Sequence, residues 1–498
     1  MRSWLGRGKS IQLGVTTCCL LAFVLFGYEQ GMFDHPSDSQ TGIIVSSYNL
    51  GCLFGCVVNF FTGEKLGRRK TIWMAMSFII LGTSPQTSSF HVPHLIVGRI
   101  ITGIGTGLKT STVPMYQSEL CPPTSRGRLV SAEVLFGGVG IVFAYWFNFG
   151  MSFVGGAIAW RLPIALQALF AIFVVVLVFA LPESPRWLFN HNREQDAIEV
   201  RCIVNDMEPT DEFIVTERTA ILQAIELESK SQHKRGLFTI FKKDNVKTRY
   251  RVLLAWGIHC MNQVSGINLV VYYITSVLEQ NVGMSVRLSQ IVGGCVQMML
   301  MFGTIIPSFA LDRMGRRQTM ITGCIGLGLS MLFVAALLSQ ADGGATERGT
   351  RFASASVAFF FIYMYTFGMS VHCVPWVYVP EVLPLEARTQ GSAIGISSNW
   401  LWNFTVVMIT PIIIKRLQWK AYLIFMTTNL VFAPLVYFFY PETSNLRLED
   451  VDKIFTSNLD PVQIAREMQK HYAIESRNCD IHNTQGSKEA ATVEIVEN

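Results

Sequence analysis

Gly67-Arg68-Arg69-Lys70 and Gly315-Arg316-Arg317 are two copies of one short basic loop, set roughly half the chain apart, and each lies between two long apolar runs. The correspondence extends outward from both copies at nearly the same offset. Glu119, Pro122 and Arg126 answer to Glu381, Pro384 and Arg388, and Pro182-Glu183 answers to Pro441-Glu442. This spacing implies that one apolar, helix-rich unit is used twice, head to tail.

Composition places that unit in a membrane. The 498 residues are 50% hydrophobic and 15% charged, where a soluble domain carries about 25% charged residues. The apolar runs have the length a helix needs to cross about 30 Å of hydrocarbon. Twelve can be read, near 11–33, 41–62, 71–90, 94–116, 129–150, 161–181, 252–277, 288–311, 319–339, 354–378, 391–414 and 421–440. The first reads as a retained helix, because no small-residue cleavage site follows it. The expected fold is therefore an all-α membrane protein with twelve transmembrane helices in two pseudo-symmetric six-helix bundles. The expected domains are a bundle at 1–182, a linker at 183–250, a bundle at 251–443 and a tail at 444–498. In the linker, Ala197, Ile198, Ile203, Val204, Ile221, Ile225 and Leu227 suit short amphipathic helices. The tail opens on a helix-compatible stretch, Leu448 to Phe455, and is otherwise expected to be largely disordered.

Lysines and arginines in the loops set the orientation. Lys65, Arg68, Arg69, Lys70, Arg126, Arg128, the basic residues of 183–250, Arg313, Arg316, Arg317 and Arg388 fall on one side, whereas loops 31–40, 91–93 and 151–159 contain no Lys or Arg. Both termini are expected to be cytoplasmic, with Lys415, Arg416 and Lys420 as a local exception. The net charge of +5 then reflects basic residues facing anionic lipid headgroups, and no nucleic-acid partner is needed. The eleven cysteines show neither disulfide nor zinc spacing. No metal cluster, nucleophile elbow or cofactor motif stands out, so neither an enzyme nor a cofactor is expected. Gly103-x-Gly105-x-Gly107 falls inside the fourth span, where small residues let helices approach closely.

Further motifs occur in order along the whole chain. They are Gly27-Tyr28-Glu29-Gln30-Gly31, Gly98-Arg99, Pro114-x-Tyr116-x-x-Glu119, Arg126-Gly127, Pro182-Glu183-Ser184-Pro185-Arg186-Trp187-Leu188, Gln263-x-x-Gly266-x-Asn268 with Tyr272-Tyr273, Pro375-Trp376, Asn399-Trp400 and Pro441-Glu442-Thr443. In these the chain resembles the sugar porter family of the major facilitator superfamily, and most of all its fungal hexose carriers and glycerol/proton symporters. The resemblance implies an alternating-access carrier in the plasma membrane, working as a monomer, that takes up a monosaccharide or polyol together with a proton.

It also implies roles for residues. Arg68, Arg69, Glu119, Arg126, Glu183 and Arg186, repeated as Arg316, Arg317, Glu381, Arg388 and Glu442, would form salt-bridge networks that hold the halves together on the inside and break as the carrier opens inward. Glu29 and Arg99 would form the proton-sensitive pair, with Glu in place of the usual Asp. Gln263, Asn268, Tyr272, Tyr273, Trp376, Asn399 and Trp400 carry amides for hydroxyl groups and aromatic faces for the C–H side of a ring. Gln263 and Asn268 are five positions apart, about 140° around a helix. Both can border one cavity only if it is wide or if the span is broken, and Gly266 permits a break.

The departures are as informative. Val134 and Leu300 stand where sugar carriers often place Gln and Asn, Asn262 stands where a Gln is common, and Gly368 where some relatives are polar. A pocket short of hydroxyl partners favours a smaller polyol or another, less polar solute. The alternatives left open are an uncoupled facilitator, a carrier or exporter of a different metabolite, and a nutrient sensor. Glu133, early in the fifth span, receives no role.

Overall fold

The computed structural model describes residues 7–31, 39–121, 125–229, 244–341, 346–444, 446, 448–456 and 459–470. Pro122, part of the linker and most of the tail expected to be disordered lie outside the described residues.

Six long helices come first: α1 (Lys9–Gly31), α2 (Ser39–Leu66), α3 (Arg68–Thr87), α4 (Val92–Leu120), α5 (Arg126–Met151) and α6 (Ile158–Ala180). Three short ones occupy the linker, α7 (Pro185–Asn190), α8 (Glu194–Asn205) and α9 (Glu212–Ser229). The second half holds α10 (Thr248–Val264), α11 (Ile267–Val282), α12 (Val286–Met314), α13 (Arg316–Ser339), α14 (Glu347–Met369), α15 (Val374–Val382), α16 (Arg388–Leu417) and α17 (Lys420–Phe439). A further helix, α18 (Leu448–Thr456), follows, and residues 461–470 are helical as well. The described residues form no strands. The twelve apolar runs become twelve spans, two of them broken into α10–α11 and α14–α15. Among the described residues, eight stretches are long and apolar enough to cross a membrane by themselves. Of the others, α4 carries Arg99, Lys109 and Glu119 inside the bundle, where charge has partners.

Polarity is inverted relative to a soluble protein. Phe173, Phe179, Phe309 and Phe438 are more than half exposed on the outer surface, while Asn49, Asn59, Lys109, Glu119 and Glu133 are fully buried. The apolar exterior suits lipid, which solvates it as well as a protein core would. Helix association must then come from close packing and interior polar contacts. Between α2 and α4 the packing is backbone to backbone: a Cβ on Gly107 would lie 2.0 Å from the Cys52 carbonyl oxygen, and one on Gly55 would lie 2.2 Å from that of Ile104. The glycines of the fourth span are there for contact.

The first break has a local cause. Gly266 has φ 102°, a left-handed conformation that suits glycine, and a Cβ there would sit 2.8 Å from the Phe425 ring. The Ser265 carbonyl freed by the break accepts from Asn429 Nδ2 at 2.8 Å and Tyr363 Oη at 3.0 Å, so no backbone acceptor is left bare inside the bundle. Asn262 Nδ2 donates to the Val371 carbonyl at 2.7 Å, tying the end of α10 to the second break. On the loop side, α18 is anchored by a buried ion pair between Arg251 and Asp452 at 2.6 Å, with the Arg251 guanidinium over the Phe455 ring.

Replacing Gly107 by Val should force α2 and α4 apart and destabilise the fold by about 1–3 kcal/mol or more. A lower melting temperature and a smaller monodisperse fraction of detergent-solubilised protein would report this, whereas wild-type behaviour would mean the helices can slide to accommodate the side chain.

Candidate functional site

Each Gly-Arg-Arg loop is a compact joint. Gly67 and Gly315 have φ 81° and 79°, and a Cβ on either would lie 2.7 and 2.6 Å from a carboxylate oxygen of Glu183 and Glu442 respectively. Those carboxylates accept the first backbone N–H groups of α3 and α13. Arg68 N and Arg316 N each donate at 2.9 Å, and Arg69 N and Arg317 N at 3.2 and 3.0 Å. Glutamate thus caps a positive helix end. Burial pushes the Glu183 carboxyl above its ordinary range, against the pull of the backbone N–H groups and Arg68.

The two arginines of each loop diverge. Arg68 donates to both oxygens of Glu119, at 3.0 and 3.1 Å, and Arg316 to both of Glu381, at 3.1 and 2.9 Å. Arg69 reaches the Val178 and Phe179 carbonyls at the C-terminus of α6, and Arg317 reaches the Tyr437 carbonyl near the end of α17. The hydroxyl after the capping glutamate completes each set: Ser184 Oγ donates to Glu119 at 2.5 Å and Thr443 Oγ1 to Glu381 at 2.7 Å.

The expected latch residues thus divide into contacts within one half and contacts between the halves. Arg68–Glu119 and Arg316–Glu381 bind helices within one half, and Glu183 and Glu442 act as caps. Contacts between halves at this basic end are the Arg388–Glu119 pair at 3.6 Å, Thr389 Oγ1 donating to Glu64 at 2.5 Å, Arg128 N donating to Asp312 at 3.0 Å, and Arg126 Nη1 donating to the Leu446 carbonyl at 3.3 Å. Arg186 turns toward the linker, donating to the Glu119 carbonyl at 3.1 Å and facing Glu217 at 3.9 Å.

The halves also meet nearer the opposite end. Asn49 Nδ2 donates to Asn403 Oδ1 at 2.7 Å and Tyr145 Oη to the Gln290 carbonyl at 2.8 Å. Between these contacts lies a cavity of about 440 Å³, counting the space that opens to solvent. The first half lends it only Phe26, Gln30 and Ile141; the rest of its wall comes from the second half. The break after α10 brings Gln263 and Asn268 together: Asn268 Nδ2 donates to Gln263 Oε1 at 2.8 Å, and Gln263 Nε2 donates to Asn399 Oδ1 at 2.6 Å and Asn262 Oδ1 at 2.9 Å. Tyr272 and Trp376 also line the cavity, as does Leu300. Tyr273 and Trp400 do not. Tyr273 donates to the Val407 carbonyl at 2.9 Å, and Trp400 stands behind Phe26, edge to face at 5.9 Å. His372 and Asn403 line it too and were not expected to.

Glu29 is buried, with a different partner from the one expected. Its Oε2 accepts from Lys109 Nζ at 3.1 Å, Thr106 Oγ1 at 2.7 Å and Tyr48 Oη at 2.9 Å, and its Oε1 has no hydrogen-bond partner. Arg99 lies instead over the Tyr48 ring, 5.6 Å from its centre. Lys109 was missed although its signal is plain: a lysine far inside an apolar span is expensive in lipid and calls for an acid. Glu133 is buried, with neither carboxylate oxygen hydrogen-bonded.

A broken-helix cavity between two repeated bundles, with a buried ion pair beside it, defines a secondary carrier. Residues 12–455 match the family described as sugar (and other) transporter, and the chain belongs to that family. It is 36% identical over 487 residues to the MFS-type transporter oryC of Aspergillus oryzae, covering 93% of this chain and 90% of that one. It is 32% identical over 479 residues to the sugar transporter STL1 of Saccharomyces cerevisiae, covering 91% and 82%. The fold is that of the proton:xylose symporter XylE bound to 6-bromo-6-deoxy-D-glucose, with a TM-score of 0.77 at 23% identity over 90% of this chain and 100% of that chain.

Glu119→Ala strands Arg68 and Arg388 without their buried anion and should cost about 3–5 kcal/mol. Glu347→Ala, which removes the exposed partner of Arg351, should cost less than about 1 kcal/mol. Thermal melts of the two purified variants compare them directly; equal melting temperatures would mean the buried network contributes nothing.

Proposed function

We propose that the chain is a proton-coupled carrier of a small neutral polyhydroxylated solute, a monosaccharide or polyol, working by alternating access. The observation that carries this is the linked amide cluster of Gln263, Asn268, Asn399 and Asn262 on the cavity wall, facing Phe26 and Trp376. Amides exchange hydrogen bonds with hydroxyls, and aromatic faces accept C–H groups. Among the described residues, no lysine, arginine, aspartate or glutamate lines the cavity, which supports a neutral solute over a carboxylate. The similarity to the sugar transporter STL1 and to the proton:xylose symporter XylE supports a sugar as cargo. Glu29 is the proton site in this reading, its unoccupied Oε1 offering a lone pair inside the bundle. The basic end faces the cytoplasm along with both termini, in the plasma membrane, and a single chain contains the whole path. Lys109 supports a second reading, uncoupled facilitation, because it already neutralises Glu29 without a proton.

Uptake of labelled glycerol, xylose and glucose by transporter-deficient yeast, with and without a protonophore, tests both. The expected result is uptake of at least one of them and loss of accumulation with the protonophore; no uptake of any would end the sugar and polyol reading. Gln263→Ala or Asn399→Ala should raise the KM for the transported solute about tenfold, as expected for one buried hydrogen bond left unpaired. An unchanged KM would place the solute elsewhere.

A further inference from the structure

We infer that Lys109 is the coupling cation of this carrier, the group that proton binding at Glu29 releases, and that it has taken the place expected for Arg99. The inference rests on the proton-coupled reading above. Lys109 and Glu29 are each about 1% exposed and 3.1 Å apart. With Thr106 and Tyr48 also donating, all three bonds fall on Oε2, and Oε1 is left for a proton. A proton there removes the charge that holds the Lys109 ammonium, and a buried ammonium without its anion is strongly unfavourable in that position. Relief requires α1 and α4 to move. The proton adds to the Oε1 lone pair and leaves to solvent when the bundle opens, so the cycle is balanced by one proton moved.

The movement has a mechanical path to the solute. Thr110, next to Lys109 on α4, accepts from Trp400 Nε1 of the other half at 3.4 Å. Tyr48, which donates to Glu29, meets the Trp400 ring edge to face at 6.0 Å, and Trp400 meets Phe26 at 5.9 Å. Phe26 lines the cavity. A shift of α4 against α1 therefore pulls on an inter-half bond and on an aromatic stack that ends at the solute. Among the described residues, the other titratable groups around the pair are Tyr48 and Cys52 on α2 and Arg99 on α4, with Tyr272 on α11 facing Arg99; of these Arg99 competes as a cation. It is buried and sits on the face of the Tyr48 ring rather than on the carboxylate.

The test uses full-length protein in the yeast uptake assay and in proteoliposomes with an imposed pH difference, with labelled glycerol, xylose and glucose as probes. Exchange of solute down its own gradient checks that each variant folds. Lys109→Met should lose the accumulation driven by the pH gradient, about tenfold per pH unit for one proton per solute, and Lys109→Arg should keep most of it. Because Lys109→Met leaves Glu29 unpaired, the double variant Glu29→Gln/Lys109→Met provides a neutral pair of similar size. It should exchange solute without accumulating it. Full accumulation by Lys109→Met, or its loss in Arg99→Met but not in Lys109→Met, would overturn the assignment while leaving proton coupling intact. A wild type that moves solute indifferently to pH, or moves none of the three, overturns the coupled reading and this inference together.

Discussion

Charge buried where water cannot reach it must be met by opposite charge or by backbone dipoles, and the architecture is organised around meeting it. Each Gly-Arg-Arg loop gathers four helix ends into one joint. The glycine makes room for a carboxylate, the carboxylate caps the following span, the first arginine clamps the glutamate of the fourth or tenth span, and the second arginine takes carbonyls at the end of the sixth or twelfth. These contacts hold each half as one body. Between the halves, the contacts among the described residues at the basic end include the Arg388–Glu119 pair, longer at 3.6 Å, and hydrogen bonds from Thr389 and Arg128. Bundles held internally in this way can move against each other as bodies, breaking and remaking the seam between them.

Much of this was legible in the sequence because its causes are local or periodic. Span number follows from run length and the repeat from the doubled loop, while the break at Gly266 was one of two ways, a wide cavity being the other, for Gln263 and Asn268 to share a wall. What was not legible depends on how helices are rotated against each other. Glu183 and Glu442 look like latch partners on paper, and only the turn at Gly67 and Gly315 shows that they point at backbone N–H groups. Arg99 and Lys109 both lie on α4, and which of them reaches Glu29 depends on the register of α1 against α4. The close glycine contacts join α1 to α5 and α4 to α2 and α3, and no spacing rule gives the register of α1 against α4 that results. Tyr273 and Trp400 sit beside lining residues in sequence yet face away from the cavity.

The losses at Val134 and Leu300 take on meaning in the same frame. Leu300 lines the cavity and Val134 is buried within α5 without lining it, and the amides that do line it are concentrated in the cluster around the broken span. Those amides already satisfy one another. A solute must therefore replace bonds of similar strength, which favours discrimination by shape and hydroxyl geometry over tight affinity.

The lopsided wall of the cavity has one more consequence. The second half supplies nearly every polar contact a solute can make, while Glu29, Tyr48, Thr106 and Lys109 all belong to the first. The buried acid–lysine pair and the amide-lined wall thus belong to different halves of one chain, joined through Phe26, Trp400 and the Thr110 bond. Substitutions in the amide wall can reshape the cavity while the packing around the ion pair is left untouched.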